Sequence, residues 1–92
     1  MNPFTLKLAP TATRDLDQIE DKVVQGILDK SAVLKENPFP QGKRIKKIKG
    51  KKSTFYRLRV DKYLVFYSIE GQDVVILKVI GKKDADRFIK NL

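Results

Sequence analysis

The sequence predicts one α+β domain over residues 1–92: an N-terminal strand, a helical hairpin packed on one face of a curved antiparallel sheet of three to four strands, and a short C-terminal helix. Three observations carry this reading. Ninety-two residues leave room for a single core. Apolar residues recur at helical spacing through the first third of the chain and alternate with period two across the second half. Turn-forming residues then separate the alternating runs.

Residues 2–9 alternate, with Phe4, Leu6 and Leu8 on one side and Thr5 and Lys7 on the other, as a half-buried strand does. Pro10 ends that strand, and Thr11 or Thr13 is placed to cap a helix. Leu16, Ile19, Val23, Ile27 and Leu34 continue the helical spacing to Glu36, a span long enough to predict two helices with a break near residues 20–22. Asp15, Asp17, Glu20 and Asp21 fall early, where the helix dipole favours anions; they read as a solvated face. Asn37-Pro38-Phe39-Pro40 stops the second helix.

Lys43 to Lys49 is a weak strand candidate, with only Ile45 and Ile48 apolar, and Gly50 turns it into a stronger one over residues 54–60. There alternation sets Tyr56, Leu58 and Val60 on one face and Phe55, Arg57 and Arg59 on the other. Asp61-Lys62 makes a tight hairpin. Tyr63, Val65, Tyr67 and Ile69 face inward on the next strand, which leaves Leu64 and Phe66 as an outward apolar surface suited to a protein partner. A turn at residues 70–73 leads into the almost wholly apolar run 74–80, read as a central strand. Gly81-Lys82-Lys83 forms a cationic turn, and residues 84–92 a short helix with Phe88 and Leu92 apolar.

Composition narrows function. The chain contains no Cys and no His, which excludes disulfide frameworks, zinc knuckles, thiol nucleophiles, serine triads and His-ligated metals. No metal or other cofactor is expected. The longest apolar run, residues 63–67, is far too short to cross a bilayer, and the alternating N-terminus lacks the apolar stretch of a signal peptide. A cytoplasmic protein is expected. The formal charge is +9, and residues 43–62 alone carry ten basic side chains against one acid. Most solvated faces mix signs, so this concentration points to a polyanionic partner.

On the face bearing Arg57 and Arg59, guanidinium forks can grip phosphate oxygens, with Lys49, Lys51, Lys52, Lys82 and Lys83 at the rim. Phe55 or Phe66 offers a ring for base stacking. These residue types suffice for phosphodiester cleavage by a neighbouring 2′-hydroxyl, because arginines can hold the charge that develops on the phosphorane.

The run Thr54-Phe55-Tyr56-Arg57-Leu58-Arg59-Val60, then Tyr63-Leu64-Val65-Phe66-Tyr67-Ser68-Ile69, then Val74 through Gly81-Lys82-Lys83, resembles the RelE/ParE toxin superfamily. The upstream stretch from Leu8 to Leu16 and the Asn37-Pro38 after a helix fit the same pattern. The resemblance covers nearly the whole chain and implies a RelE-like fold. It implies a type II toxin that enters the ribosomal A site and cleaves mRNA without metal. A cognate antitoxin would neutralise it, often by displacing the C-terminal helix, and would carry the complex to operator DNA. By position, Arg57 and Arg59 resemble the strand cations with base and phosphate-orienting roles, and Lys83 the cation that stabilises the phosphorane or protonates the leaving group. Lys49, Lys51, Lys52 and Lys82 would bind RNA backbone, and Phe88 stands where a base-stacking Tyr is usual. Leu64 stands where many RelE-type toxins have Arg. Both departures leave open the ParE branch, which shares the fold but poisons DNA gyrase, or a catalytically weakened toxin that persists as an antitoxin-binding repressor component.

Overall fold

Period-two alternation through the second half of the chain builds the sheet, and the helices earlier in the sequence cover one side of it. The computed structural model describes residues 3–90. In chain order these form β1 (Thr5–Leu8), α1 (Pro10–Asp17), α2 (Asp21–Ser31), a 3-10 turn (Ala32–Lys35), β2 (Ile45–Lys49), β3 (Thr54–Val60), β4 (Tyr63–Glu70), β5 (Asp73–Gly81) and α3 (Lys82–Lys90). The sheet is larger than the three to four strands expected: it has five, in the order β1-β5-β4-β3-β2. β1 supplies the additional strand by pairing parallel to β5, from Thr5 opposite Asp73 to Leu8 opposite Ile76. The other pairings are antiparallel. The apolar run on β5 follows from its neighbours on both sides, with β4 at the centre of the sheet.

The helix break falls at residues 18–20, slightly before its expected place. Pro10 takes the first helical position of α1, where its missing N–H costs no hydrogen bond. The expected threonine cap does not form. Ala9 stands at the cap position, and the Thr11 hydroxyl instead donates to the Leu77 carbonyl of β5 at 2.5 Å. Leu16, Ile27 and Leu34 seat the helical segments on Leu58, Val60, Val65, Val74, Ile76 and Val79. Tyr67 closes this core: its ring stacks on Tyr56, centroids 5.6 Å apart, and its hydroxyl donates to the Pro38 carbonyl at 2.6 Å. Burial, and secondarily Tyr56, hold the Tyr67 hydroxyl well above the usual phenol range. Its contribution to stability is complete below about pH 10, where an unfolded tyrosine stays protonated, and is lost as pH rises further. Leu8, expected to be half-buried with Phe4 and Leu6, is instead 42% exposed.

One irregularity organises β5. Phe66 pairs with Lys78 and Tyr67 with Ile76, so Leu77 is an extra residue, a β-bulge. Before it, Val74 and Ile76 face the helices; after it, Val79 does, and Ile80 turns to the other side. α1 clamps the bulge. Asp15 accepts the Val79 N–H at 3.0 Å and the Lys78 ammonium at 2.9 Å, while Thr11, one turn earlier on the same helix face, takes the Leu77 carbonyl. Asp15 is therefore not part of a solvated acidic face. Its side chain is only 16% exposed.

On the far side of the sheet, α3 begins two residues earlier than expected and packs over β4 and β5. Residues 91 and 92 of the expected helix lie outside the described residues. Leu64, Phe66 and Ala85 form a second buried cluster, rimmed by Ile48, Ile80, Phe88 and Ile89. No helix among the described residues is long and apolar enough to cross a membrane.

Replacing Asp15 with Ala strips the partner from a main-chain donor and from Lys78. It should lower stability by about 2 kcal/mol and the melting temperature by roughly 8–16 °C. Lys7→Ala breaks an ion pair 57% and 38% exposed and should cost no more than about 0.5 kcal/mol. Equal losses in thermal melts would contradict the clamp. Phe88→Ala should raise amide exchange across α3 by tenfold or more while β3–β5 stay protected; an unchanged α3 would show that it is held otherwise.

Candidate nucleic-acid interface

Residues directly opposite one another in antiparallel strands share a face, so the register reads out what lies beside each arginine. Lys46, Arg57, Phe66 and Lys78 form one row across the sheet. Arg59, Leu64 and Ile80 form the next, extended at its outer end by Arg44, whose carbonyl accepts the Arg59 N–H at 3.0 Å. α3 roofs the β4–β5 half of both rows. The β2–β3 half stays open and carries Lys46, Arg57, Arg44 and Arg59.

These four cations are the heart of the site. The ion pairs among the described residues lie elsewhere, at Lys7–Asp73, Lys30–Asp61 and Lys78–Asp15. Arg59 and Arg44 are exposed and, with Lys43 and Asp61, line a shallow cleft of about 320 Å³. Arg57 is half-buried, and its Nε is inaccessible with no hydrogen-bond partner. An unsatisfied charged donor of this kind typically costs ~1–3 kcal/mol.

The remaining expected site residues do not all converge. Lys82 and Lys83 lie in the first turn of α3, not in a loop, and line a cavity of about 500 Å³ with Lys62, Tyr63, Gly81 and Asp84. That cavity and the Arg59 cleft sit either side of the Asp61-Lys62 hairpin tip, at one end of the sheet. Lys51 and Lys52 are exposed in the β2–β3 turn at the opposite end, about 17 Å along β3 from Arg59 at ~3.4 Å per residue. Lys49 pairs with Thr54 and so lies on the helix-bearing face, away from Arg57 and Arg59. The single cationic surface expected from the sequence is thus a central strip with two separated flanks.

The apolar candidates are covered. Leu64 and Phe66, expected as an outward surface, are 4% and 0% exposed beneath α3. The Phe88 ring packs on Phe66, centroids 4.7 Å apart, so it faces the sheet. Arg44 and Lys46 were counted in the basic run but not singled out. Strand pairing with Arg59 and Arg57 gives them their place, and the weak alternation of residues 43–49 hides that pairing.

Solved structures share this fold. The archaeal RelE–RelB complex from Pyrococcus horikoshii OT3 aligns with a TM-score of 0.70 at 23% identity, covering 87% of this chain and 96% of that one. The toxin–antitoxin complex RelBE2 from Mycobacterium tuberculosis aligns at 0.74 and 23%, covering 87% and 99%. The chromosomal ParDE system from P. aeruginosa aligns at 0.68 and 20%, covering 86% and 96%. No curated protein sequence matches the chain. Residues 6–86 match the family profile of the ParE toxin of type II toxin–antitoxin systems, parDE. With that match spanning most of its length, the chain belongs to the ParE toxin family, within the RelE/ParE toxins of type II toxin–antitoxin systems.

Proposed function

We propose that this toxin acts on RNA: in the cytoplasm, free of its cognate antitoxin, it enters the ribosomal A site and cleaves mRNA without a metal ion. The observation that carries this is the open half-face on which Arg57 and Arg59 stand beside Lys46 and Arg44, none of the four in an ion pair among the described residues. Guanidinium groups keep their protons, so Arg57 and Arg59 suit gripping the non-bridging phosphate oxygens better than removing a proton. In cleavage the 2′-hydroxyl gives its proton to solvent water as its oxygen attacks phosphorus, the 5′-oxygen leaves, and a 2′,3′-cyclic phosphate remains. The two arginines would hold the charge of the phosphorane, a kind of donor whose removal typically costs ~10²–10³ in rate. Lys83 would protonate the leaving oxygen. Lys82 and Lys83 stand at the positive end of the α3 dipole, an unfavourable place for cations that a phosphate improves.

The roof supports a place for the antitoxin. A partner segment that displaces α3 would cover Leu64 and Phe66 in its stead and bring operator DNA to the complex through its own domain. A second reading draws on the ParE profile and on Leu64, apolar and buried where many RelE-type toxins have Arg. In it the same scaffold inhibits DNA gyrase and cuts nothing.

Mapping mRNA 5′ ends after expression separates the two. The RNA reading predicts cuts inside translated frames, reduced about 10²-fold or more by Arg57→Ala with Arg59→Ala. It also predicts a salt slope for single-stranded RNA of about −3 from four phosphate contacts, falling to about −1.5 in the double variant. A double variant that stays fully growth-inhibitory overturns the RNA reading. Inhibited supercoiling with intact mRNA establishes the gyrase reading instead.

A further inference from the structure

We propose that Phe55 is a platform on which a base of the bound RNA stacks, and that the turn at residues 50–53 holds its ring in place. The inference rests on the RNA reading above and adds a binding position to it.

The other phenylalanines of the described residues are occupied. Phe66 is fully buried and carries Phe88 on its ring, and Phe4 packs edge-on against Phe39, centroids 5.9 Å apart. Phe55 enters neither core cluster and no ring pair among the described residues, yet remains part-exposed. A part-exposed ring that belongs to neither cluster is available to a ligand.

Its position fits a nucleobase. Alternation sets Phe55 on the face of Arg57, two residues or about 7 Å along the strand. The turn that precedes it is closed by the Gly50 N–H donating to the Ser53 carbonyl at 2.9 Å. A β-carbon at residue 50 would lie 2.8 Å from Phe55 Cε2, 3.3 Å from Cδ2 and 2.9 Å from the Ser53 carbonyl oxygen, so the ring rests against the Gly50 backbone and glycine leaves space for both the ring and the turn. Lys51 and Lys52 flank the ring on the turn side and Arg57 on the other. A base-stacking ring between cations that meet the adjacent phosphates is how proteins bind single strands. It also gives Lys51 and Lys52 a role despite their distance from Arg59.

The test titrates the full chain with a short single-stranded oligoadenylate and, separately, with inorganic polyphosphate, which offers the charge but no base. Phe55→Leu should weaken oligoadenylate binding about tenfold, the size of one lost stacking contact, and leave polyphosphate binding and the salt slope unchanged. Phe55→Tyr should bind like the parent. Undiminished oligoadenylate binding by Phe55→Leu overturns the inference. So does an equal loss for both ligands in Phe55→Leu and Phe55→Tyr, which marks a packing role. If the parent chain binds neither ligand, the RNA reading itself fails and takes this inference with it.

Discussion

The grip of α1 on the β5 bulge decides how this small sheet can have two working faces. Without the extra residue at Leu77, the alternation that points Val74 and Ile76 at the helices would point Ile80 there too and leave α3 without a floor. The bulge exposes main-chain groups that a regular ladder would have paired, and such groups are costly to bury unmet. Thr11 and Asp15 meet them from a single helix face. That contact also draws the Lys78 ammonium to the helix side, out of the row that holds Arg57. One carboxylate thus sets strand parity, seats α1, and leaves the arginines as the dominant charges of the strip.

Size sets the rest. α3 has nine residues, about 13 Å of helix, enough to roof β4 and β5 but not the β2–β3 hairpin. Beyond the roof, apart from Ile48 and Phe55, the strip is cationic. The outer strand β2 carries Lys46, Lys47 and Lys49 on an unpaired edge, which also discourages the edge from pairing with another chain. The same lysines therefore serve solubility at the edge and charge on the open strip, according to the face each takes.

Much of this was legible in residue order. The strands β3 and β4, the Asp61-Lys62 hairpin between them and the outward turn of Arg57 and Arg59 follow from alternation between Tyr56 and Ile69. β2 was hard to read because it is apolar on both faces. Ile45 enters the main core while Ile48, three residues on, rims the α3 cluster, a spacing that mimics a helix. Parallel pairing of β1 depends on contacts some seventy residues away in sequence, such as Thr5 with Asp73, and has no local signal. Nor does the bulge, since a run as uniformly apolar as residues 74–80 conceals a change of parity. The burial of Leu64 and Phe66 followed the same logic. Outward on the strand was correct, but a helix the chain itself provides then covers them. Asp15 looked like one acid among several on a helix surface, and only the strand packed beneath it distinguishes it.

Binding of RNA phosphate on the Arg57–Arg59 strip would be read from the side-chain Nε–H resonances of the arginines during titration with single-stranded RNA. Binding there moves the Arg57 and Arg59 signals together, saturating with the binding curve, while Arg14 on α1 stays in place. Movement at Arg14 with Arg57 and Arg59 unchanged would contradict it.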